Sequence, residues 1–100
     1  MTDAMIPAVA ERFRALAEPA RLFLLRALVA RGEQTVNELV TTTGLQQANV
    51  SKHLQVLHAH GFLRRRKDGL YVYYALADKQ VAKLCDLMCQ RMSTVAVASD

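Results

Sequence analysis

Apolar residues recur at helical spacing through most of the chain, and the pattern breaks where turn-forming residues stand. Pro7 opens a first helix that runs to about Ala17, with Val9, Phe13, Leu16 and Ala17 on one side. A second follows from Pro19 to about Ala30; its stripe is Leu22, Leu25, Leu28 and Val29, and Gly32 lies past its end as a C-terminal cap. Thr35-Val36-Asn37-Glu38 has the capping-box pattern, in which the threonine hydroxyl satisfies one free amide and the glutamate reaches back. It opens a short helix over about Val36 to Thr42. Beyond Thr43-Gly44-Leu45 a fourth helix spans about Gln47 to His58, with Val50, Leu54 and Leu57 toward the core and Val56 beside them. Two short helices joined this tightly make a helix-turn-helix.

After Gly61 the period changes from helical to two. Phe62 to Lys67 and Leu70 to Leu76 read as strands, and Asp68-Gly69 between them signals a tight hairpin. Asp78 is a good N-cap for a last helix reaching about Met92, after which 93–100 reads as a flexible tail. The predicted fold is mainly α with one β-hairpin. A hairpin directly after a helix-turn-helix makes a winged helix, here a single domain over residues 1–92 with its core motif at about 35–76.

Length and composition narrow the class further. One hundred residues cannot bury two separate cores. With 52% hydrophobic and 22% charged residues the chain is of the ordered, globular kind. No stretch approaches the roughly 18 to 20 uncharged apolar residues of a membrane span. The opening Met1-Thr2-Asp3-Ala4 lacks a basic region ahead of an apolar run, so no signal peptide is expected. Two cysteines make no disulfide framework, and a reducing, cytoplasmic setting is the expectation. A membrane protein, a secreted mini-protein and a large enzyme are excluded.

The net charge is +4, and its placement matters more than its size. Between Gly44 and Leu70 stand Lys52, Arg64, Arg65, Arg66 and Lys67 against the single acid Asp68, which accounts for the whole excess. Charge alone leaves a polyanion-binding patch and a merely solvated face equally open. The hairpin behind the helix-turn-helix favours nucleic acid. An enzyme is disfavoured: Ser51 and His53 come with no strand-to-helix elbow and no glycine-rich phosphate loop.

Three linked segments then resemble the ArsR/SmtB family of bacterial winged-helix repressors. They are Phe13 to Arg21, Val50-Ser51-Lys52-His53-Leu54-Gln55-Val56-Leu57, and Gly61-Phe62-Leu63 with Asp68-Gly69 and Val72-Tyr73-Tyr74-Ala75-Leu76. The resemblance implies a homodimer built from the first and last helices (about 8–17 and 78–92). It also implies a two-fold symmetric double-stranded operator and repression until an inducer binds. It places DNA contacts at Gln47, Ala48, Ser51 and Lys52. By their chemistry, Gln47 suits a bidentate contact to adenine, as does Asn49 if it points inward, and Ala48 offers at most a touch to a thymine methyl. Ser51 and Lys52 suit a base edge or phosphate. His53 matches a family histidine and either packs against the turn or meets a phosphate. In the wing, Arg66 and Lys67 lie nearest the tip and are expected to approach phosphate or minor groove. Leu70 stands where many relatives carry a basic residue. The three tyrosines read as hairpin packing.

The family's metal sites do not carry over. Gln34-Thr35-Val36-Asn37 holds no thiol where a Cys-x-Cys would stand, and Asp78 is joined by Gln80, Arg91 and Thr94, which are poor or impossible zinc ligands. What remains is Cys85 and Cys89, four apart on one helical face with Val81, Met88 and Met92. Two such pairs across a two-fold axis suit a soft metal ion or intersubunit disulfides; equally, they suit simple apolar packing. An organic inducer, no inducer, or a winged helix that only binds protein are the alternatives. His53, His58 and His60 are expected at the solvent surface rather than as a metal cluster.

Overall fold

The computed structural model describes residues 1–99, with side chains as far as residue 93; Asp100, the end of the expected tail, lies outside the described residues. A 3-10 turn at Asp3–Met5 leads into α1 (Ile6–Leu16) and α2 (Pro19–Arg31), followed by β1 (Gln34–Thr35) and α3 (Val36–Thr43). The chain continues through α4 (Gln47–Ala59), β2 (Leu63–Asp68), β3 (Tyr71–Leu76) and α5 (Lys79–Ser99). The strands form one antiparallel sheet in the order β1-β3-β2.

Local chemistry sets the boundaries. Proline stands in the first turn of both α1 and α2, where its missing N–H costs nothing. The Thr35 hydroxyl accepts from the Glu38 amide at 3.1 Å and starts α3. Gly44 stops that helix in the left-handed conformation (φ 74°), its amide donating to the Val40 carbonyl at 2.9 Å. Asp78 caps α5 by accepting from the amides of Gln80 and Val81.

The core is one cluster. Leu24, Leu25 and Leu28 of α2, Leu39 of α3 and Val50, Leu54 and Leu57 of α4 meet Phe62, Leu63 and Tyr74 of the wing and Val81 of α5. The α4 stripe is the one its periodicity predicts. Two other stripes differ. In α1 the core residue is Ala15, while Phe13 is 55% exposed. In α2 the buried set is Leu24, Leu25, Ala27 and Leu28, leaving Leu22 and Val29 about half exposed. Helix α2 is apolar on more than one side, so periodicity gave a stripe without saying which part of it meets the core. Helix α1 has one apolar side, and most of that side is left uncovered within this chain.

Three boundaries also differ from the sequence expectation. The α5 backbone runs past Met92 to Ser99. The two-residue β1 is too short for a periodicity; it exists because Gln34 and Thr35 pair with Tyr74 and Tyr73 of β3. The hairpin turn is displaced by one residue: Asp68 pairs with Tyr71, so the loop is Gly69-Leu70. Only Gly69 has positive φ (61°), which fits a II′ turn with glycine at its first central position.

Candidate nucleic-acid interface

Helix α4 buries Val50, Leu54 and Leu57 completely, and this fixes what its other side presents. Gln47, Ala48, Asn49 and Lys52 are exposed, and Ser51 and His53 are half-buried. A helix with this exposure, in this supersecondary unit, has the shape and polarity to lie in a major groove with its N-terminal residues at base edges.

His53 is held from inside. The Arg21 guanidinium on α2 lies 3.2 Å from His53 Nδ1. Arginine only donates, so Nδ1 accepts and the ring proton sits on Nε2. Burial, and next the Arg21 charge, push the His53 pKa below its ordinary value. The ring is therefore neutral at pH 7. His53 is tied to the fold, and only its Nε2–H remains to donate outward.

The wing sorts its four consecutive cations by strand alternation. Arg65 pairs with Tyr74 and Lys67 with Val72; directly opposed residues share a face. Tyr74 is buried, and its ring meets His58 of α4 edge-on at 6.4 Å between centroids. Arg65 and Lys67 thus lie on the α4 side of the sheet, and no ion pair holds either among the described residues. Arg64 and Arg66 point the other way. Arg64 Nε donates to the Leu76 carbonyl at 3.3 Å. Arg66 is held by Glu33 through two contacts, Nη2 to Oε1 at 2.7 Å and Nε to Oε2 at 3.2 Å. It also reaches Asp68 at 3.4 Å and lies over the Tyr73 ring at 4.5 Å. This contact holds the Glu33 carboxyl below its usual range.

Arg66 and Lys67, the residues nearest the tip and both expected to approach phosphate or minor groove, face opposite sides of the hairpin, as strand alternation requires. Adjacent strand residues cannot share a face, and the residue that accompanies Lys67 is Arg65. The signal was in the sequence: Leu63, Arg65 and Lys67 are spaced by two, and Leu63 must enter the core. Leu70, at the tip, is 97% exposed.

The cysteines of α5 are not equivalent. Cys85 packs against the core cluster, while Cys89 is exposed. Burial first, then neighbouring Cys89, raises the Cys85 pKa. Met88 and Met92 continue the exposed side of the helix at 60% and 57%. His58 is exposed, and half-buried His60 donates from Nδ1 to the Val56 carbonyl at 2.9 Å. Among the described residues there is no group of three or more metal-ligating side chains within one chain. No helix among them is long and apolar enough to cross a membrane.

The sequence matches the MarR family across residues 18–70, from the start of α2 to the wing tip. It is 44% identical over 72 residues to a probable mercury resistance operon repressor of Streptomyces lividans, covering 72% of this chain and 57% of that protein. The chain spans about half the length of several curated relatives it matches, this repressor among them. Among solved structures, the crystal structure of Mycobacterium tuberculosis Rv0081 superposes with a TM-score of 0.87 at 31% identity, covering 98% of each chain. The homodimeric winged helix-turn-helix DNA-binding domain of Mb0332 from Mycobacterium bovis, a possible ArsR-family regulator, superposes with a TM-score of 0.82. It is 33% identical, over 93% of this chain and 88% of that one.

Proposed function

Similar to the MarR family over its helix-turn-helix core and to an ArsR-family domain over almost its whole length, the chain belongs to the ArsR/SmtB winged helix-turn-helix transcriptional regulators, and on that premise we propose that it is a homodimeric repressor of a two-fold symmetric DNA operator. The observation that carries this reading is the shared side of α4 and the wing. Arg65 and Lys67, which no ion pair holds among the described residues, share the strand face whose Tyr74 meets His58 of α4, the helix whose N-terminal polar residues are exposed. In this reading Gln47 and Asn49 read base edges, Ala48 touches a thymine methyl, Ser51 and Lys52 meet phosphate or base, and His53 donates from Nε2. The homodimer forms through the apolar surface that α1 and α5 leave uncovered, where Ile6 and Phe13 lie on one helix, with Met5 in the turn before it, and Leu87, Met88 and Met92 on the other. That much exposed apolar surface on a small domain calls for a partner.

The regulating signal acts at Cys85 and Cys89. Val81 and Cys85 turn toward the core of their own chain, while Cys89 lies with Met88 and Met92 on the exposed side of α5 that would meet its twin. Two Cys89 thiols, each with half-buried Cys85 one turn away, would then stand near the two-fold axis, where a soft metal ion or an oxidant can join them. The relative whose name refers to mercury resistance supports the soft-metal form. Joining the pairs would change the angle between the two α5 helices and hence the spacing of the recognition helices.

The test is binding to duplex DNA from the protein's own upstream region, reduced, oxidised, and with Hg²⁺, Cd²⁺, Zn²⁺ or arsenite. Specific, salt-sensitive binding by a dimer supports the repressor. Loss of binding under one of these conditions, absent from the Cys85→Ser/Cys89→Ser protein, supports the thiol switch. Binding to no sequence in preference to another overturns the reading.

A further inference from the structure

The Glu33–Arg66 contact lies on the far side of the wing from α4, and the DNA-facing arrangement makes no use of it. Its surroundings give it a task. Glu33 immediately precedes two residues that are tied into the helix-turn-helix. Gln34, next to it, is buried and fully bonded: its Nε2 donates to the Ala27 carbonyl at 3.1 Å and to the Gly32 carbonyl at 3.3 Å. Its Oε1 accepts from the Thr42 hydroxyl at 3.1 Å. Thr35, one residue on, caps α3. The Glu33 backbone is thus fixed to the helix-turn-helix itself.

The wing, by contrast, loses support toward its tip. Strand β1 backs β3 only at Tyr74 and Tyr73. Beyond that rung the pairs Lys67–Val72 and Asp68–Tyr71 belong to a two-stranded ribbon. Such a ribbon is marginally stable alone and free to twist. Arg66 pairs with Tyr73, the last rung that β1 backs, and this is the rung Glu33 grips. The guanidinium is also clamped between the carboxylate and the Tyr73 ring, which orients a planar fork better than charge alone.

We propose that Glu33 is a positioning residue for DNA recognition: through Arg66 it braces the wing against the helix-turn-helix and so sets where Arg65 and Lys67 stand relative to α4. The inference rests on the DNA-binding reading above. An exposed ion pair adds little to global stability. Its effect is on the direction of the ribbon.

The sign of one substitution tests it. Glu33→Gln removes an acid from a polyanion binder, so charge alone tightens binding to every duplex. A brace requires the reverse for the right sequence. The full-length protein is titrated with a duplex it selects from a random pool, and with a scrambled duplex of the same length. Glu33→Gln is expected to lose roughly three- to fivefold in affinity for the selected duplex, the range one exposed pair can supply. Its affinity for the scrambled duplex stays the same or rises. Arg66→Gln should lose at least as much for the selected duplex, since it also removes a cation, and the double variant, at unchanged net charge, should lose no more than the arginine variant alone. The swap Glu33→Arg with Arg66→Glu, at unchanged net charge, should restore selectivity. Equal or tighter binding of Glu33→Gln to the selected duplex overturns the brace, as does failure of the swap to restore it.

A readout without DNA separates this from failure of the DNA reading. Amide hydrogen exchange of Arg66 to Val72 should quicken in Glu33→Gln while the amides of α4 keep their rates. Unchanged exchange in the wing overturns the brace even if the wild-type protein selects no DNA, the result that would sink the underlying reading instead.

Discussion

Arg21 joins the recognition helix to the end of α1: it donates to Nδ1 of His53 at 3.2 Å and to the Arg14 carbonyl at 3.2 Å, and its Nε bonds the Ala15 carbonyl. One side chain thus bonds the Ala15 carbonyl, adds a second donor to the Arg14 carbonyl that already accepts from the Ala17 amide, and holds the imidazole of α4. The Pro19-Ala20-Arg21 segment places this arginine in the first turn of α2, so its reach to both neighbours follows from where that helix starts.

The junction makes stability depend on pH in one direction. Protonated His53 would present a donor to the Arg21 donor, with a second positive charge beside it. Because its folded pKa is lowered, by burial first and then Arg21, the unfolded chain takes up the proton more readily. The contribution is fully present above the ordinary value of about 6.5 and is lost as pH falls from there through the lowered folded value. Urea midpoints measured from pH 8 to pH 5 should drop on the acid side, and His53→Gln should flatten that drop. An unchanged profile in His53→Gln would assign the pH dependence to other groups.

Arg21→Ala should cost about 1 kcal/mol in a two-state unfolding experiment, since it removes several part-exposed hydrogen bonds with a charged donor. Arg21→Lys should recover little of it, because an ammonium cannot span the imidazole and the α1 carbonyls together. Full recovery in the lysine protein would mean that charge, and not the fork geometry, is what the site needs.

The wing cations should separate by face. Arg65→Ala and Lys67→Ala are each expected to reduce the slope of log affinity against log salt by about one, the mark of one lost phosphate contact. Arg66→Ala should leave that slope nearly unchanged, because Glu33 and Asp68 already neutralise its charge. Similar slopes for Arg65→Ala and the wild type would show that the α4-side face does not meet the backbone.

Within α4, Gln47→Ala should relax preference at one base position, while Lys52→Ala should weaken binding to all sequences alike. Selection from a randomised duplex pool reads both effects at once. A Gln47→Ala protein that selects the wild-type sequence would place the helix differently in the groove.

Leu54 measures how much of the fold the recognition helix carries. It is fully buried between helices and wing, so Leu54→Ala should destabilise by about 3 kcal/mol through lost burial and the cavity left behind. A loss under 1 kcal/mol by chemical denaturation would mean the core closes around the gap.

How much of this was legible in the sequence varies with the range of the interaction. Helices α3 and α4, the turn at Gly44, the caps at Thr35 and Asp78 and the wing all follow from signals a few residues apart. Dihedral preference, capping and periodicity act over that distance, and so do the quoted segments that resemble a known family. The buried stripe of α4 was also readable, since only one of its sides is apolar. The core face of α2 was not, because several of its sides are apolar and only packing decides which one the core takes. In α1 the apolar side was legible, but not that most of it stays uncovered within one chain. Strand β1 has no local signature; it becomes a strand when β3 arrives beside it. The pairs that matter most to the interface, Arg21 with His53 and Glu33 with Arg66, lie 32 and 33 residues apart. Sequence supplied their charges and hydrogen-bonding groups. Which donor meets which acceptor, and so which cations remain free, depended on tertiary structure, because an ion pair has no preferred separation along the chain and forms wherever folding brings its partners within reach.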